Sequence, residues 1–581
     1  MSLENQGHST SIVDVVLLSK PFLGFLLLWT FLLTTFQLSS NFGIYKWKDD
    51  LLAQHLIHAL SLSGILWLTY FFVLVYLLKY LKAHSYRSNL IGLVNHQEKP
   101  QSKVLAKETR SSQEGLQDTF SQDPISPYFS LKYFKFYVCT ILLLTRVSWW
   151  TAPPSPSEDV WRYLWDGERV VRSQNIYTTA PKDVKLLGFD DKLITLQKRI
   201  GHAHIPTVYP PGAQLFFGLS AQLSRFIIQS TKYGRTLQAP EQLVVHLTCW
   251  RFLLLLSDLA VLAVLLALLR HFSLRPEWSL LYALSPIVAF ETALSAHLDL
   301  LGIFFLIFSL LLICQERYFY AGMMIGVGIT IKLLPACLLF FTYLFLKNEY
   351  KLRRDLNKIW TLSFSTLLTI YLICLPFMKE LLSLKGLWPG LQTYQQHWNF
   401  NGSLYPFLYS ILNEIREYFE MISFTEQKLR LYLKVFIFIV FCLWITFQAK
   451  KLKSLSSNTQ DKRALVLICF NGLCLIFICS PVIYGWYLLW LVPFSIIVLA
   501  ITYCNKYIIY INYFTICIST IVWFFMVNLT YIPRHQLLCG EGWSFDDLCY
   551  MIEYGILALT LLLVKRYTLL LYSANNQEHS P

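Results

Sequence analysis

Long uninterrupted apolar runs alternate with short polar breaks along most of this chain. The runs fall near 12–38, 57–78, 134–150, 243–269, 278–296, 298–314, 320–346, 358–377, 431–449, 464–481, 484–503, 507–530 and 551–571. Each is long enough to cross a hydrocarbon core of about 30 Å as a helix. The pattern predicts an all-α polytopic membrane protein with about 13 transmembrane helices. The first run ends in FQLSSNFGIYKW without a small-residue cleavage site and is expected to remain as an anchor.

Polar positions then set the orientation. KNEYKLRRDLNK (347–358) and AKKLKSLSSNTQDKR (449–463) each carry five basic residues between closely spaced runs, which assigns both to the cytoplasm. With 270–278, 314–318 and the tail after Lys565 also inside, the segments 151–242, 378–430 and 531–550 fall outside. The run 320–346 has cytoplasmic signals on both sides, so a single crossing would break the alternation. It reads as a short hairpin broken at IKLLP, with Lys332 and Pro335 near its apex. One long helix with a snorkelling lysine is the competing reading.

The domain plan follows: an N-terminal helix pair (1–80), a flexible cytoplasmic linker (81–133), a core (134–503) and C-terminal helices with a short cytoplasmic tail (504–581). The core holds the first external loop, 151–242, with amphipathic surface helices such as PPGAQLFFGLSAQLSRFIIQ, and a second external loop, 378–430.

Composition sharpens the class. Charged residues (49 basic, 35 acidic) make up 14% of the chain and hydrophobic ones 55%, against roughly a quarter charged in a soluble domain. That excludes an ordinary cytosolic enzyme. The net charge of +14 belongs to the inner loops rather than to nucleic-acid binding. Most cysteines lie inside apolar runs and act as small hydrophobes. Cys539 and Cys549, flanking CGEGWSFDDLC outside, are a candidate disulfide.

The external loop carries the chemistry. In APPSPSEDVWRYLWDGERVV, Pro156 and Ser157 start a helix with acidic residues in its first turn. Asp159, Arg162, Asp166 and Arg169 fall on one stripe, with Val160, Trp161, Leu164 and Val171 opposite. Such a helix would rest on lipid or on the bundle and aim its charges at one place. A salt-bridged interfacial helix without catalysis accounts for the same spacing. Arg251 and Asp258 share a helix face and are expected to pair with neighbouring helices.

SEDVWRYLWDGERVVRSQNIYTTAPKD followed by TVYPPGAQLFF resembles the first external loop of the GT-C superfamily of integral membrane glycosyltransferases. The likeness is to the mannosyltransferases that draw sugar from polyprenyl or dolichyl phosphate. It continues through FETALSAHLDLLG (290–302), GVGITIKLLPACLLF (326–340) and YGWYLLWLVPF (484–494). The resemblance implies a GT-C-like bundle, a polyprenyl-phosphate sugar donor, a glycan or lipid-glycan acceptor, contact with membrane lipid, and an external acidic residue as general base. By position that base is Asp159, with Asp166 on the same stripe; Glu158 could exchange roles with either.

Transfer from a lipid phosphate needs a base for the acceptor hydroxyl and positive charge for the departing phosphate. Arg162 and Lys332 are the candidates for the phosphate, with Arg251 behind them. Lys332 has a competing assignment, pairing with an internal carboxylate such as Asp258. Glu291, His297 and Asp299 are assigned to sugar hydroxyls, with helix-junction capping as the alternative. Tyr209, beside His202 and His204, and Trp398 and Asn399, beside Asn401 and Tyr405, are assigned to sugar or acceptor positioning. Asn401 also begins an N-x-S sequence, too short a motif to establish glycosylation. No cofactor is assigned and a divalent metal is left open. The function expected is inverting transfer of a sugar, mannose in this reading, on the extracytoplasmic side, in a bacterial inner membrane in preference to the endoplasmic reticulum. A transporter or flippase of lipid-linked sugars is the alternative; it should show related halves, and no repeat is evident.

Overall fold

The computed structural model describes residues 65–68, 70–79, 127–147, 149–150, 152–154, 156–185, 191–347, 352–383, 389–397, 400–419, 425–455, 461–503, 508–532 and 547–577. Among these there is no strand, only isolated bridges from Phe400 and Asn401 to Val482. Five helical stretches are long and apolar enough to cross a membrane: Ala239–His271, Leu356–Ser383, Glu426–Leu452, Gly485–Tyr503 and Asn512–Tyr531. Asp299–Cys314, Tyr318–Ile331, Leu334–Leu346 and Arg463–Ile478 are apolar but shorter. The helical membrane architecture read from the pattern therefore holds, in a coarser form than about 13 full crossings. The first apolar run, the linker 81–126 and Cys539 lie outside the described residues, as does the side chain of Cys549.

The core helices are α1 (Pro127–Val147), α2 (Asp159–Val171), α3 (Asp191–Gln197), α4 (Pro211–Ser230), α5 (Ala239–His271), α6 (Asp299–Cys314), α7 (Tyr318–Ile331), α8 (Cys337–Leu346) and α9 (Leu352–Cys374). Next come α10 (Pro389–His397), α11 (Leu404–Tyr418), α12 (Glu426–Leu455), α13 (Arg463–Ile478), α14 (Val492–Tyr503), α15 (Ile508–Met526) and α16 (Asp547–Gln577). Helix α5 begins on a capping box in which the Gln238 N–H donates to Glu241 (2.7 Å), and ends with Arg270 and His271 in its last turn. Its 33 residues rise about 50 Å, more than a hydrocarbon core requires.

The run 278–296 departs from the expected single crossing. It is cut into Pro276–Ser279, Leu280–Ala283, Pro286–Val288 and a π-helical turn Ala289–Leu294. Pro286 lacks the N–H that would continue the preceding helix. Residues 278–292 are all buried, so their apolar character serves the protein interior rather than lipid. Arg146 on α1 ties this segment to α5, bonding Asp258 (2.8 Å) and the Ala283 carbonyl (2.9 Å), while the Tyr282 hydroxyl donates to Asp258 (2.6 Å). Asp258 thus finds the neighbouring-helix partner expected of it. Arg251 instead donates to the carbonyls of Trp150, Ala152 and Leu294 at 2.6–2.9 Å, which removes it from the phosphate candidates.

The chain reverses at Lys332, as a hairpin requires. Lys332 is extended (φ −151°, ψ 140°) and the turn Leu334–Ala336 leads into α8. Both outer ends of the pair meet on one side: Lys462 bonds Glu316 (3.0 Å) just before α7 and lies 5.8 Å over the ring of Phe345 near the end of α8. Arg463 donates to the Phe272 carbonyl (3.0 Å) at that same end, so turns marked as inner gather there. At the opposite end Gly390 of α10 abuts the carbonyls of Pro206 and Thr207, where a Cβ would come within 2.4–2.5 Å. The two long polar segments are therefore in contact at one end of the bundle.

Helix α2 is more enclosed than an interfacial helix. Val160, Trp161, Tyr163, Leu164 and Trp165 are all buried, together with Asp166, Glu168 and Arg169. Helix α4 crosses it closely, since a Cβ on Gly167 would sit 2.3 Å from the Phe217 carbonyl oxygen. The outward face of α4 keeps Leu215, Leu219 and Phe226 exposed. Between α2, α3, α4 and α5, Glu168 collects Lys192 (2.6 Å), Arg225 (2.5 Å) and, at 3.7 Å, His246. Burial alone would raise the Glu168 carboxyl, but Lys192 and His246 hold it down at about 2.

Candidate active site

A cavity of about 870 Å³ opens at the end where the two polar segments meet. Its acidic side is the start of α2, with Glu158, Asp159, Arg162 and Tyr163 in the wall. Asp159 is half-buried, and its backbone N–H is capped by the Ser157 hydroxyl (3.2 Å). Its carboxylate has no hydrogen-bond or ion-pair partner among the described residues. Tyr209 lines the cavity nearby; burial first, then the Asp159 charge, push its phenol well above its ordinary value. It therefore stays a neutral hydrogen-bond donor.

The stripe on α2 divides its labour. Arg162 reaches the cavity while Nε bonds Asp166 (2.9 Å) and Nη1 donates to the Ile205 carbonyl (2.8 Å). Asp166, 1% exposed, is not in the wall. Its oxygens are taken by Arg162, by the Thr207 hydroxyl (2.6 Å) and by the Gln214 amide (3.2 Å). This corrects its expected place beside Asp159: a carboxylate saturated by three donors fixes Arg162 and the 205–210 turn. Arg169 holds the next turn through the Asn175 and Thr179 carbonyls.

The cationic side is Lys332. Its ammonium pairs with Asp299, whose Oδ1 also accepts from the Trp490 indole (2.6 Å). It lies 4.6 Å over the ring of Tyr487, a cation–π distance. A carboxylate does hold Lys332, as the competing assignment required, but it is Asp299 rather than Asp258, and both members line the cavity. The Tyr487 hydroxyl contacts that of Tyr394 from α10, which brings the second polar segment into the wall. Around the hairpin the lining turns apolar, through Ile331, Leu333, Leu334 and Cys337, with Leu333 50% exposed.

Glu291 and His297 stand behind the wall, both fully buried. Glu291 accepts from the Tyr531 hydroxyl (2.6 Å) and contacts His297 Nδ1 (3.0 Å), and the His297 ring stacks on Trp486 at 4.0 Å. Tyr531 and Trp486 are the residues that line the cavity. The sugar-contact expectation for Glu291 and His297 is thus replaced by support of two aromatic residues. His202, with a left-handed φ of 54°, lies at the cavity edge, whereas His204 is outside the lining. Trp398 and Asn399 lie outside the described residues. Asn401 and Tyr405 are buried away from the cavity. Among the described residues no three His, Cys, Asp or Glu side chains gather as a metal set.

Tyr163, Tyr394, Tyr487, Trp490 and Tyr531 had no assigned role in the sequence. Tyr163 lies in SEDVWRYLWDGERVV, and Tyr487 and Trp490 in YGWYLLWLVPF, which gave likeness without roles.

Residues 137–348 match the family model described as alpha-(1->6)-mannopyranosyltransferase, N-terminal domain. This match, over about a third of the chain, supports reading the protein as a membrane glycosyltransferase of the mannosyltransferase type. The match contains Asp159, Arg162, Tyr209, Asp299 and Lys332; Tyr394, Trp486, Tyr487 and Tyr531 come from beyond it. No curated protein matches the chain.

Proposed function

We propose that this cavity transfers a mannosyl residue from a polyprenyl-phosphate donor to an acceptor hydroxyl, with inversion and with Asp159 as general base. The observation that carries the reading is the contrast among the carboxylates. Asp166, Asp299 and Glu291 are committed to protein donors, while Asp159 faces the cavity without a partner among the described residues. The acceptor oxygen forms its bond to the anomeric carbon as the bond from that carbon to the phosphate oxygen breaks. The hydroxyl proton goes to Asp159 and the polyprenyl phosphate departs toward Lys332 and Arg162. The apolar lining near Leu333 and Leu334 suits the first units of a polyprenyl chain, and the sugar and phosphate then occupy the polar part between α2 and Lys332. The basic loops at the far end favour placing the cavity on the extracytoplasmic side, and the resemblance favours a bacterial inner membrane.

The test is transfer by the purified protein, with polyprenyl-phosphate mannose compared against a nucleotide-activated mannose. Lipid-linked donor should be consumed and give an inverted glycosidic product. Use of the nucleotide sugar alone would overturn the donor assignment, and a product retaining the anomeric configuration would overturn the mechanism.

A further inference from the structure

The C-terminal helix α16 lies outside the stretch that matches the mannosyltransferase family and outside the stretch that resembles the superfamily. It nevertheless carries Glu553, 0% exposed, next to the apolar stretch GILALTLLLV (555–564). A carboxylate at such a position is expensive unless it has partners and a purpose. Glu553 accepts from the Trp523 indole of α15 (2.9 Å) and from the Asn401 amide (3.1 and 3.3 Å). The adjacent Tyr554 hydroxyl donates to the Asn401 carbonyl (2.7 Å). Asn401 is held in the left-handed region at φ 51°. Gly402 beside it leaves no room for a Cβ, which would meet the Ser480 and Pro481 carbonyls at 2.6 and 2.8 Å.

What this fixes is a short pairing with the segment before the aromatic wall. The Phe400 N–H donates to the Pro481 carbonyl (3.1 Å), and the Ile483 N–H donates to the Phe400 carbonyl (2.9 Å). The Phe400 ring then stacks on Tyr484 (4.8 Å), Tyr484 on Trp486 (4.4 Å), and Trp486 on His297 (4.0 Å). Tyr484 and Trp486 face the cavity. Each has a ring stacked on both sides, so neither offers a whole open face to a sugar, and their edges form one surface whose position depends on the entire stack.

We propose that Glu553 is a positioning residue for the substrate cavity. Through Asn401 and Phe400, the C-terminal helix sets the place of the Tyr484–Trp486 wall, and thereby substrate affinity rather than the bond-making step. This rests on the cavity being the mannosyl-transfer site.

The clamp is tested by exchanging its acid and its amide. Glu553→Gln keeps an acceptor for Trp523 and can donate to Asn401 Oδ1, a buried oxygen without a partner among the described residues, so it removes the charge while leaving the hydrogen bonds of the clamp complementary. Asn401→Asp sets two carboxylates together and should raise the KM for polyprenyl-phosphate mannose about tenfold while kcat stays within about threefold. The double variant Glu553→Gln/Asn401→Asp restores complementary groups and should return KM to the wild-type value. Hydrogen exchange of the Phe400 and Ile483 amides, measured without substrate, should rise in Asn401→Asp and fall again in the double variant. An unchanged KM in Asn401→Asp, or a double variant no better than the single one, would overturn the proposal. A wild-type protein that transfers no mannose defeats the functional reading alone, because the exchange measurement still decides whether the clamp holds the wall.

Discussion

Asp159→Asn isolates the proposed base with little disturbance to the fold. Its carboxylate has no partner among the described residues, and the cap at the start of α2 runs from the Ser157 hydroxyl to the residue 159 backbone, which the substitution retains. What the fold loses is one negative charge at a helix N-terminus, about 0.3–1 kcal/mol. What the reaction loses is a general base, about 10²–10⁴ in rate, or roughly 3–5 kcal/mol of barrier. The catalytic effect should therefore exceed the stability effect several-fold. Transfer of mannose at saturating donor, with thermal unfolding followed on the same preparation, should give a kcat lower by about 10²-fold or more, an unshifted KM and a Tm within a few degrees of wild type. Asp166→Asn should do the opposite, because three donors converge on that buried carboxylate and hydrogen bonds to a charged group contribute about 1.5–3 kcal/mol each. It should lower Tm and raise donor KM more than it lowers kcat. A folded Asp159→Asn protein with more than about a tenth of wild-type kcat would refute the assignment of the base.

Lys332→Met should raise the KM for a phosphate-linked donor at least about tenfold, since it removes the ammonium and strands Asp299; an unchanged KM in titrations of the donor would count against a phosphate at this place. Glu168, held near 2 in the fold against an ordinary 4.5, contributes stability that is full above pH 4.5 and lost as the pH falls toward 2. Acid titration of unfolding should show this loss in wild type and a flatter profile in Glu168→Gln, whose Tm at neutral pH should already be lower because Lys192 is left buried without its counter-charge. Gly167→Ala should force α2 from α4 at the cost of about 1–3 kcal/mol, read as a lower Tm, and should reduce transfer because Asp159 and Arg162 ride on the displaced helix.

The sequence made the helical membrane class legible because apolar runs of membrane length have few other uses. It also made the charged stripe on α2 and the break at Lys332 legible, since both depend on local spacing. It failed where burial is a tertiary property. The run 278–296 has the composition of a membrane helix, yet Pro286 and its enclosure by α1 and α5 make it a buried, broken segment. Asp159 and Asp166 look equivalent on a helical wheel; only Thr207 and Gln214, forty residues further along and more, distinguish them. The aromatic wall joins Tyr394, Trp486 and Tyr531, whose separation leaves no periodicity to read. Glu291 and His297 were singled out by their place at a helix junction, a local signal that carries no information about which side of the wall they occupy.

The Lys332 hairpin has a consequence for side reactions. Its first leg, Tyr318–Ile331, has 14 residues and rises about 21 Å, short of a hydrocarbon core of about 30 Å. With its other end at one headgroup layer, a leg of this length would leave the turn carrying the lysine below the far headgroups rather than in bulk water. If the cavity is the transfer site, an activated sugar held at that depth would meet few competing water molecules, and the partition between transfer and wasteful hydrolysis would follow how far the hairpin falls short of the surface.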